Sequence, residues 1–358
     1  MDIKFQSPQQ NFMAQLRKRV NNYFSQNEIS QYGNFNLYFK GIILMLSLIA
    51  LYFLPLIFTS LSVPVVLTIY FLQGIVFALV GFNIMHDGSH KSFSNKKSIN
   101  AVMAHTLNFL GGSALFWHQK HVQNHHTYTN IEGFDDDIDI KPFIRLNDHQ
   151  EYKWYHKFQS KYALVLYSMT YIFWIYYRDF KKYFTRMVAE NTPMAELSFA
   201  DHAIFWITKV VHITVFLVIP SIIIGPLLAI GGYILLSLIC GFILAIVFQL
   251  AHIVEGTIFS APAEDASHVQ IESEWSIYQI NTTVNFATND KILTWLLGGL
   301  NYQMVHHLFP KVSHVHYPAL HQIIQETCHE FNVQYVQFDS FGTAFASHLK
   351  HLSDMGKR

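Results

Sequence analysis

Residues 41–85 read GIILMLSLIALYFLPLIFTSLSVPVVLTIYFLQGIVFALVGFNIM, and HDGSH follows at residues 86–90. Between Gly41 and Met85 there is no Asp, Glu, Lys, Arg or His. A hydrocarbon core about 30 Å thick needs roughly 20 apolar residues in a helix. The stretch therefore holds two spans, with a turn region between Leu54-Pro55 and Val63-Pro64. It ends in two histidines four residues apart, a spacing that puts both imidazoles on one face of a helix. A lipid-crossing hairpin thus delivers a pair of ligands to one side of the bilayer.

Working outward, a second apolar block runs from Ala203 to Ala251 without an acid and is divided near Pro220 and Gly225-Pro226. It reads as a second hairpin, and His252 stands at its end. Lys209 is the lone Lys or Arg in either hairpin; near a helix end it is expected to snorkel toward the headgroups. His212 is expected to face a polar interior or a neighbouring helix. The two turns carry no charge, and the Lys and Arg residues fall in the N-terminal arm, the central segment and the tail. The positive-inside bias then keeps both ends in the cytosol. The expected fold is an all-α membrane protein: four transmembrane helices in two hairpins, with a cytosolic helical cap holding a di-metal site. The spans fall at about 41–60, 64–85, 203–224 and 227–251, within a membrane domain 41–340 flanked by an N-terminal arm 1–40 and a C-terminal tail 341–358. The apolar runs Ala101–Trp117 and Tyr162–Tyr177 are short and aromatic, and read as interfacial helices.

Composition points the same way. Apolar residues make up 51% of the 358 positions and charged residues only 13%, about half the charged fraction of a soluble domain. The net formal charge is zero, which leaves no footprint for nucleic acid. Two cysteines, Cys240 and Cys328, are too few for a disulfide framework or a Cys-ligated cluster. The first forty residues are polar and show no signal peptide, which fits a bacterial inner membrane and equally an endoplasmic reticulum setting.

The 21 histidines all lie at or after His86. Besides His86 and His90, His121, His125 and His126 cluster in HVQNHH, and His306 and His307 in QMVHH. Adjacent ligands on a helix point about 100° apart, so doubled histidines let one helix serve two metals. A lone histidine is ordinarily a core or surface residue. Three clusters converged by the topology on one face, with His252 added from the fourth span, read as a metal site. Neutral imidazole suits Zn, Cu, Fe or Ni, so ligand type alone does not name the metal.

The segments HDGSH (86–90), HVQNHHTYTN (121–130) and QMVHHLFPKVSHVHYP (303–318), in this order around two hydrophobic hairpins, resemble the membrane fatty acid desaturase family over roughly residues 35–340. Gln303, where the acyl-CoA Δ9 branch has a histidine, is similar to the front-end and bacterial linoleoyl-CoA-desaturase-like branch. Phe248 stands where that Δ9 branch has an Asn. The resemblance implies a di-iron centre that uses O₂ and two electrons to desaturate an acyl chain, carried as acyl-CoA or acyl-lipid. It implies one iron on His86, His121, His125 and His306, and a second on His90, His126, His252 and His307, with Gln303 near or on the latter.

Ligand imidazoles usually hand their second N–H to a carboxylate or carbonyl. Asp87, Glu132, Asp135, Asp136, Asp137, Asp139 and Glu255 are the acids available for that, while His314 and His316 read as structural or supporting residues. No His-Pro-Gly-Gly haem segment, dinucleotide fingerprint or cysteine cluster occurs, so the electrons are expected from a separate donor such as ferredoxin or cytochrome b5 with its reductase. Lys91, Lys96, Lys97, Lys120, Arg178, Lys181, Lys182 and Arg186 are available for that docking or for a CoA phosphate, or serve simply as positive-inside charge. A membrane hydroxylase of lipid or carotenoid is the nearest rival, since both reactions begin with hydrogen abstraction. A metal-ion transporter would need polar ligands deep in the spans, and these spans are apolar.

Overall fold

The computed structural model describes residues 2–6, 11–262 and 268–357. Among the described residues, four helices are long and apolar enough to cross a membrane: Phe35–Ile57, Val63–Ser89, Phe199–Ile224 and Pro226–His252. The first begins at Phe35 rather than near 41 because Asn34 caps it, its side chain accepting from the Leu37 N–H at 3.2 Å. Lys40 therefore lies inside the helix. Pro64 sits in the first turn of the second helix and Pro226 opens the fourth, positions where the missing N–H costs nothing. Gly225, at φ 86°, makes the turn between the third and fourth. The third starts at Ser198, which shares a reciprocal cap with Asp201.

The second and fourth helices form the inner pair. They bury 44% and 56% of their most apolar windows, against 28% for the first and third, whose outer faces carry exposed residues such as Ile42, Leu46, Ile207 and Val210. A Cβ at Gly74 would lie 2.5 Å from the Leu236 carbonyl, and one at Gly81 would lie 3.8 Å from the Leu244 side chain. Small residues let the two backbones close. Both contacts advance in the same direction along the two chains, so these helices run parallel. His86 and His252 consequently end up at the same end of the bundle.

Lys209 does not snorkel. It is buried, and its three donors go to the Gly111 carbonyl at 2.7 Å, the Ile175 carbonyl at 2.8 Å and Asp179 at 2.7 Å. An ion pair in which all three ammonium donors are satisfied holds the charge in the interior more cheaply than an unpaired one. His212 faces its neighbours as expected, between the Phe109 carbonyl at 3.1 Å and the Tyr233 hydroxyl at 2.7 Å. The runs 101–117 and 162–177 break into short helices and add no span. The helix Phe341–Met355 is packed rather than trailing: Ala344 and Leu352 are fully buried.

Candidate metal centre

His86 closes a π-helical turn, Gly81–Met85, at the end of the second apolar helix, and His90 follows one α-turn later. A second π-helical segment, His118–His125, presents His121 and His125. Such turns are rare and concentrate at functional sites. His306 and His307 come from the short helix Gln303–Leu308, and His252 is the last residue of the fourth apolar helix. All eight histidines and Gln303 are buried.

The nine residues form one cluster. The ligand atoms of His86, His90, His121 and His306 lie within 4.8 Å of one another, as do those of His125, His252 and His307. His126 sits between the groups, its ring 4.7 Å from that of His90, 4.5 Å from His306 and 4.4 Å from His307. By distance His90 falls with His86, while His125 falls both with His252 and His307 and, with Asp137, beside His121. The cause is local. His86 opens the short helix His86–Ser89 and His90 ends it one turn later, their rings 4.7 Å apart, whereas the π-helical segment carries His125 toward the fourth helix, its ring 4.8 Å from that of His252. Gln303 joins the second group, its amide nitrogen 2.9 Å from His252 Nε2 and 3.4 Å from His307 Nε2.

The outward-facing ring nitrogens of His121, His125, His252, His306 and His307 each meet a partner. His125 Nδ1–H donates to Asp135 at 2.9 Å, His306 Nδ1–H to the Tyr317 hydroxyl at 3.0 Å, His307 Nδ1–H to Gln279 Oε1 at 2.8 Å and His252 Nδ1–H to the Thr282 carbonyl at 3.2 Å. His121 Nδ1 faces Asp137 at 3.5 Å. The inward atoms are the opposite case. His86 Nδ1, His90 Nε2, His121 Nε2, His125 Nε2, His306 Nε2, both nitrogens of His126 and the Gln303 Oε1 are buried with no hydrogen-bond partner. Buried polar atoms without partners are rare in folded proteins. A convergent set of buried lone pairs, several backed by a fixed N–H on the far side of the ring, is the donor set that a transition metal takes.

Protonation agrees with this. Burial, reinforced by the surrounding imidazoles, drives His126, His306 and His307 well below the ordinary histidine range. Burial also pulls His121 down to about 3, although Asp137 opposes it. These rings are neutral at physiological pH, the form that binds metal. His125 moves the other way: burial disfavours its charge, but Asp135 and Asp137 outweigh that and raise its pKa.

The acids divide. Asp135 and Asp137 support ligand histidines. Asp87 accepts from Ser313 at 2.8 Å and from His314 Nδ1 at 3.0 Å, beside His86; His314 is thus a supporting residue. Asp136 does not reach the cluster, because Lys182 at 2.7 Å and Arg178 at 3.3 Å take it. Glu132 is tied to Lys141 at 2.7 Å, Asp139 lies 3.8 Å from the same lysine, and Glu255 pairs with Lys350. Lys120 is likewise committed to Asp137. Lys120, Arg178 and Lys182 therefore serve internal ion pairs rather than a docking surface. Lys91, Lys96, Lys97, Lys181 and Arg186 stay exposed.

Residues 60–339 match the fatty acid desaturase family model. The chain belongs to the fatty acid desaturase family. The desaturase is 34% identical to the sn-1 linoleoyl-lipid 6-desaturase of Synechocystis sp. over 99% of this chain and 98% of that one. It is also 34% identical to the enzyme of that name from Arthrospira platensis, over 96% and 92%. The acyl-lipid (8-3)-desaturase of Physcomitrium patens matches at 34% over 97% of this chain and 72% of its own. The protein is accordingly a membrane enzyme that desaturates fatty acyl chains by metal-dependent oxygen chemistry.

Sequence reading did not find Gln279, Thr282 or Tyr317. The first two lie on or beside a helix without a histidine, Trp275–Asn281. Tyr317 did carry a signal, since it directly follows the conspicuous HVH of residues 314–316.

Proposed function

We propose that the desaturase holds two irons, one among His86, His90, His121 and His306 and the other among His125, His252 and His307, with His126 between them and Gln303 beside the second. The donor set fits: buried imidazoles in two groups, with free inward nitrogens on His86, His90, His121, His125, His126 and His306. When bound, the irons supply the oxidising power from O₂ that an unactivated methylene requires and side chains lack.

The observation that carries this reading is an apolar cavity of about 420 Å³ whose wall includes His86, His121 and Gln303. That volume is in the range of small-molecule pockets. Met85, Phe82, Leu244, Ala245, Val247 and Phe248 supply its apolar lining, which grips a hydrocarbon without a polar anchor and keeps water from the reacting carbons. Asp135, Gln279, Tyr317 and the Thr282 carbonyl fix the ring orientations of His125, His307, His306 and His252. The substrate is a long acyl chain, and the activities for which the linoleoyl-lipid and acyl-lipid relatives are named support an acyl-lipid over acyl-CoA. Removing two hydrogens yields two of the four electrons that reduce O₂ to water. The other two come from an external donor such as ferredoxin or cytochrome b5 with its reductase. The distribution of Lys and Arg supports a site facing the cytosol, in a bacterial inner membrane.

Expression in a host of simple lipid composition, followed by gas chromatography–mass spectrometry, should reveal a new unsaturated acyl species, and the purified protein should contain about two irons per chain. A hydroxylated product, or a single tightly bound zinc, would refute the reading.

A further inference from the structure

A second cavity, of about 870 Å³, lies away from the acyl cavity, between the start of the first apolar helix and the helix Lys291–Leu296. Its charged lining is of one sign: Lys40 and Lys291 contribute to it, and no Asp or Glu does. Asp290 is next in sequence but turns away to cap its own helix, accepting from the Ile292 and Leu293 N–H groups. Amides complete the wall, among them Asn36, Gln322 and Gln325. Lys40 is 4% exposed. Its ammonium donates to the Trp295 carbonyl at 3.0 Å and meets His314 Nε2 at 3.1 Å, which leaves the third of its three donors for an occupant.

The surroundings identify what that occupant is. Phe35, Phe39, Ile292 and Trp295 are 76%, 54%, 75% and 46% exposed around the cavity, and the apolar face continues along the first helix through Ile42 and Leu46. The cavity is thus set where the span begins, at headgroup depth, with room for acyl chains on the adjoining face. We propose that it binds the phosphate of an anionic phospholipid headgroup. Basic side chains at this depth attract anionic lipid, and the positive end of the helix capped at Asn34 adds to the attraction. An anion here lies at the far end of a hydrogen-bonded chain, because His314 Nδ1 is 3.0 Å from Asp87, the neighbour of His86.

The test uses the full-length protein, delipidated in mild detergent and titrated with phosphatidylglycerol or with phosphatidylcholine of the same acyl chains, with retention read by native mass spectrometry. Phosphatidylglycerol should be retained at about tenfold lower concentration. Lys291→Glu combined with Gln325→Glu changes two exposed positions outside the histidine network; it should abolish that preference and leave metal content unchanged. Equal retention of the two lipids, or an unaltered preference in the double variant, overturns the proposal. Displacement of phosphatidylglycerol by millimolar inorganic phosphate assigns the cavity to free phosphate and overturns the lipid source. If the variant instead loses turnover with an acidic ferredoxin while retaining lipid as before, the cavity is a protein contact and the lipid assignment falls.

Discussion

Asp135 receives the Nδ1–H of His125 and also the Asn130 backbone N–H, both at 2.9 Å. The side chain is completely buried, so the carboxylate both fixes the ring and raises its basicity. Asp135→Asn keeps the shape and removes the charge. Loss of such a support typically lowers metal affinity by about 10–100-fold; metal titration of the stripped variant should show that drop with the fold intact, and an unchanged affinity would refute the role. His348 is the contrasting case. It is also fully buried, but its ring bridges the Tyr167 hydroxyl at 2.9 Å and the Ile253 carbonyl at 2.6 Å, so both nitrogens are occupied. His348→Ala should lower stability by about 1–3 kcal/mol in a thermal melt while the metal stays bound and turnover continues. Residue type alone does not separate these histidines. Spacing does: His86 and His90, or His125 and His126, announce themselves in the sequence, whereas Gln279 and the Thr282 carbonyl enter the site only through tertiary contact. The run Asp135–Asp137 reads equally as a solvated loop, and the fold alone reveals that Asp135 and Asp137 back histidines while Asp136 pairs with Arg178 and Lys182.

At the scale of elements, the apolar helices were legible because lipid demands a long uncharged run. Their ends were less so. Lys40 lies inside the first helix because His314 and a carbonyl receive it, and no charge count anticipates that. The π-helical turns were also invisible, since the HxxxH spacing looks the same in either helix type. How tightly these elements are held can be tested at two glycines. A Cβ at Gly88, inside HDGSH, would lie 2.6 Å from Met103 Cβ and 2.7 Å from the Ala104 backbone nitrogen. Gly88→Ala must push the helix Lys97–Ala104 away from His86 and His90, at a cost of about 1–3 kcal/mol. Metal per chain and melting temperature should both fall. At Gly231, in the fourth apolar helix, an added methyl group would meet nothing within 4 Å, so Gly231→Ala should leave both unchanged or raise the melting temperature slightly. Equal behaviour of the two variants would contradict the close packing at Gly88.

For the whole molecule, the cluster couples folding to pH and to metal. His121, His126, His306 and His307 are held below the ordinary histidine value of 6.5, so the unfolded chain binds protons that the folded chain refuses. Their contribution is fully present above about pH 6.5 and is lost as pH falls below it toward the folded values. The loss is up to about 1.4 kcal/mol per pH unit for each such ring. His125 has the opposite sign, because its folded pKa is raised, and it offsets part of the loss. The metal-stripped desaturase should therefore lose thermal stability steadily between pH 7 and pH 5. A ligand that binds only the folded state adds stability through mass action, and metal does so by taking the same lone pairs that protons would. The metal-loaded protein should accordingly melt at a higher temperature at pH 7, and its curve should converge on that of the stripped protein as acid displaces the metal. Flat, superimposed curves for the two forms across this range would mean that the inward nitrogens hold neither proton nor metal, and the two-group assignment would fail with them.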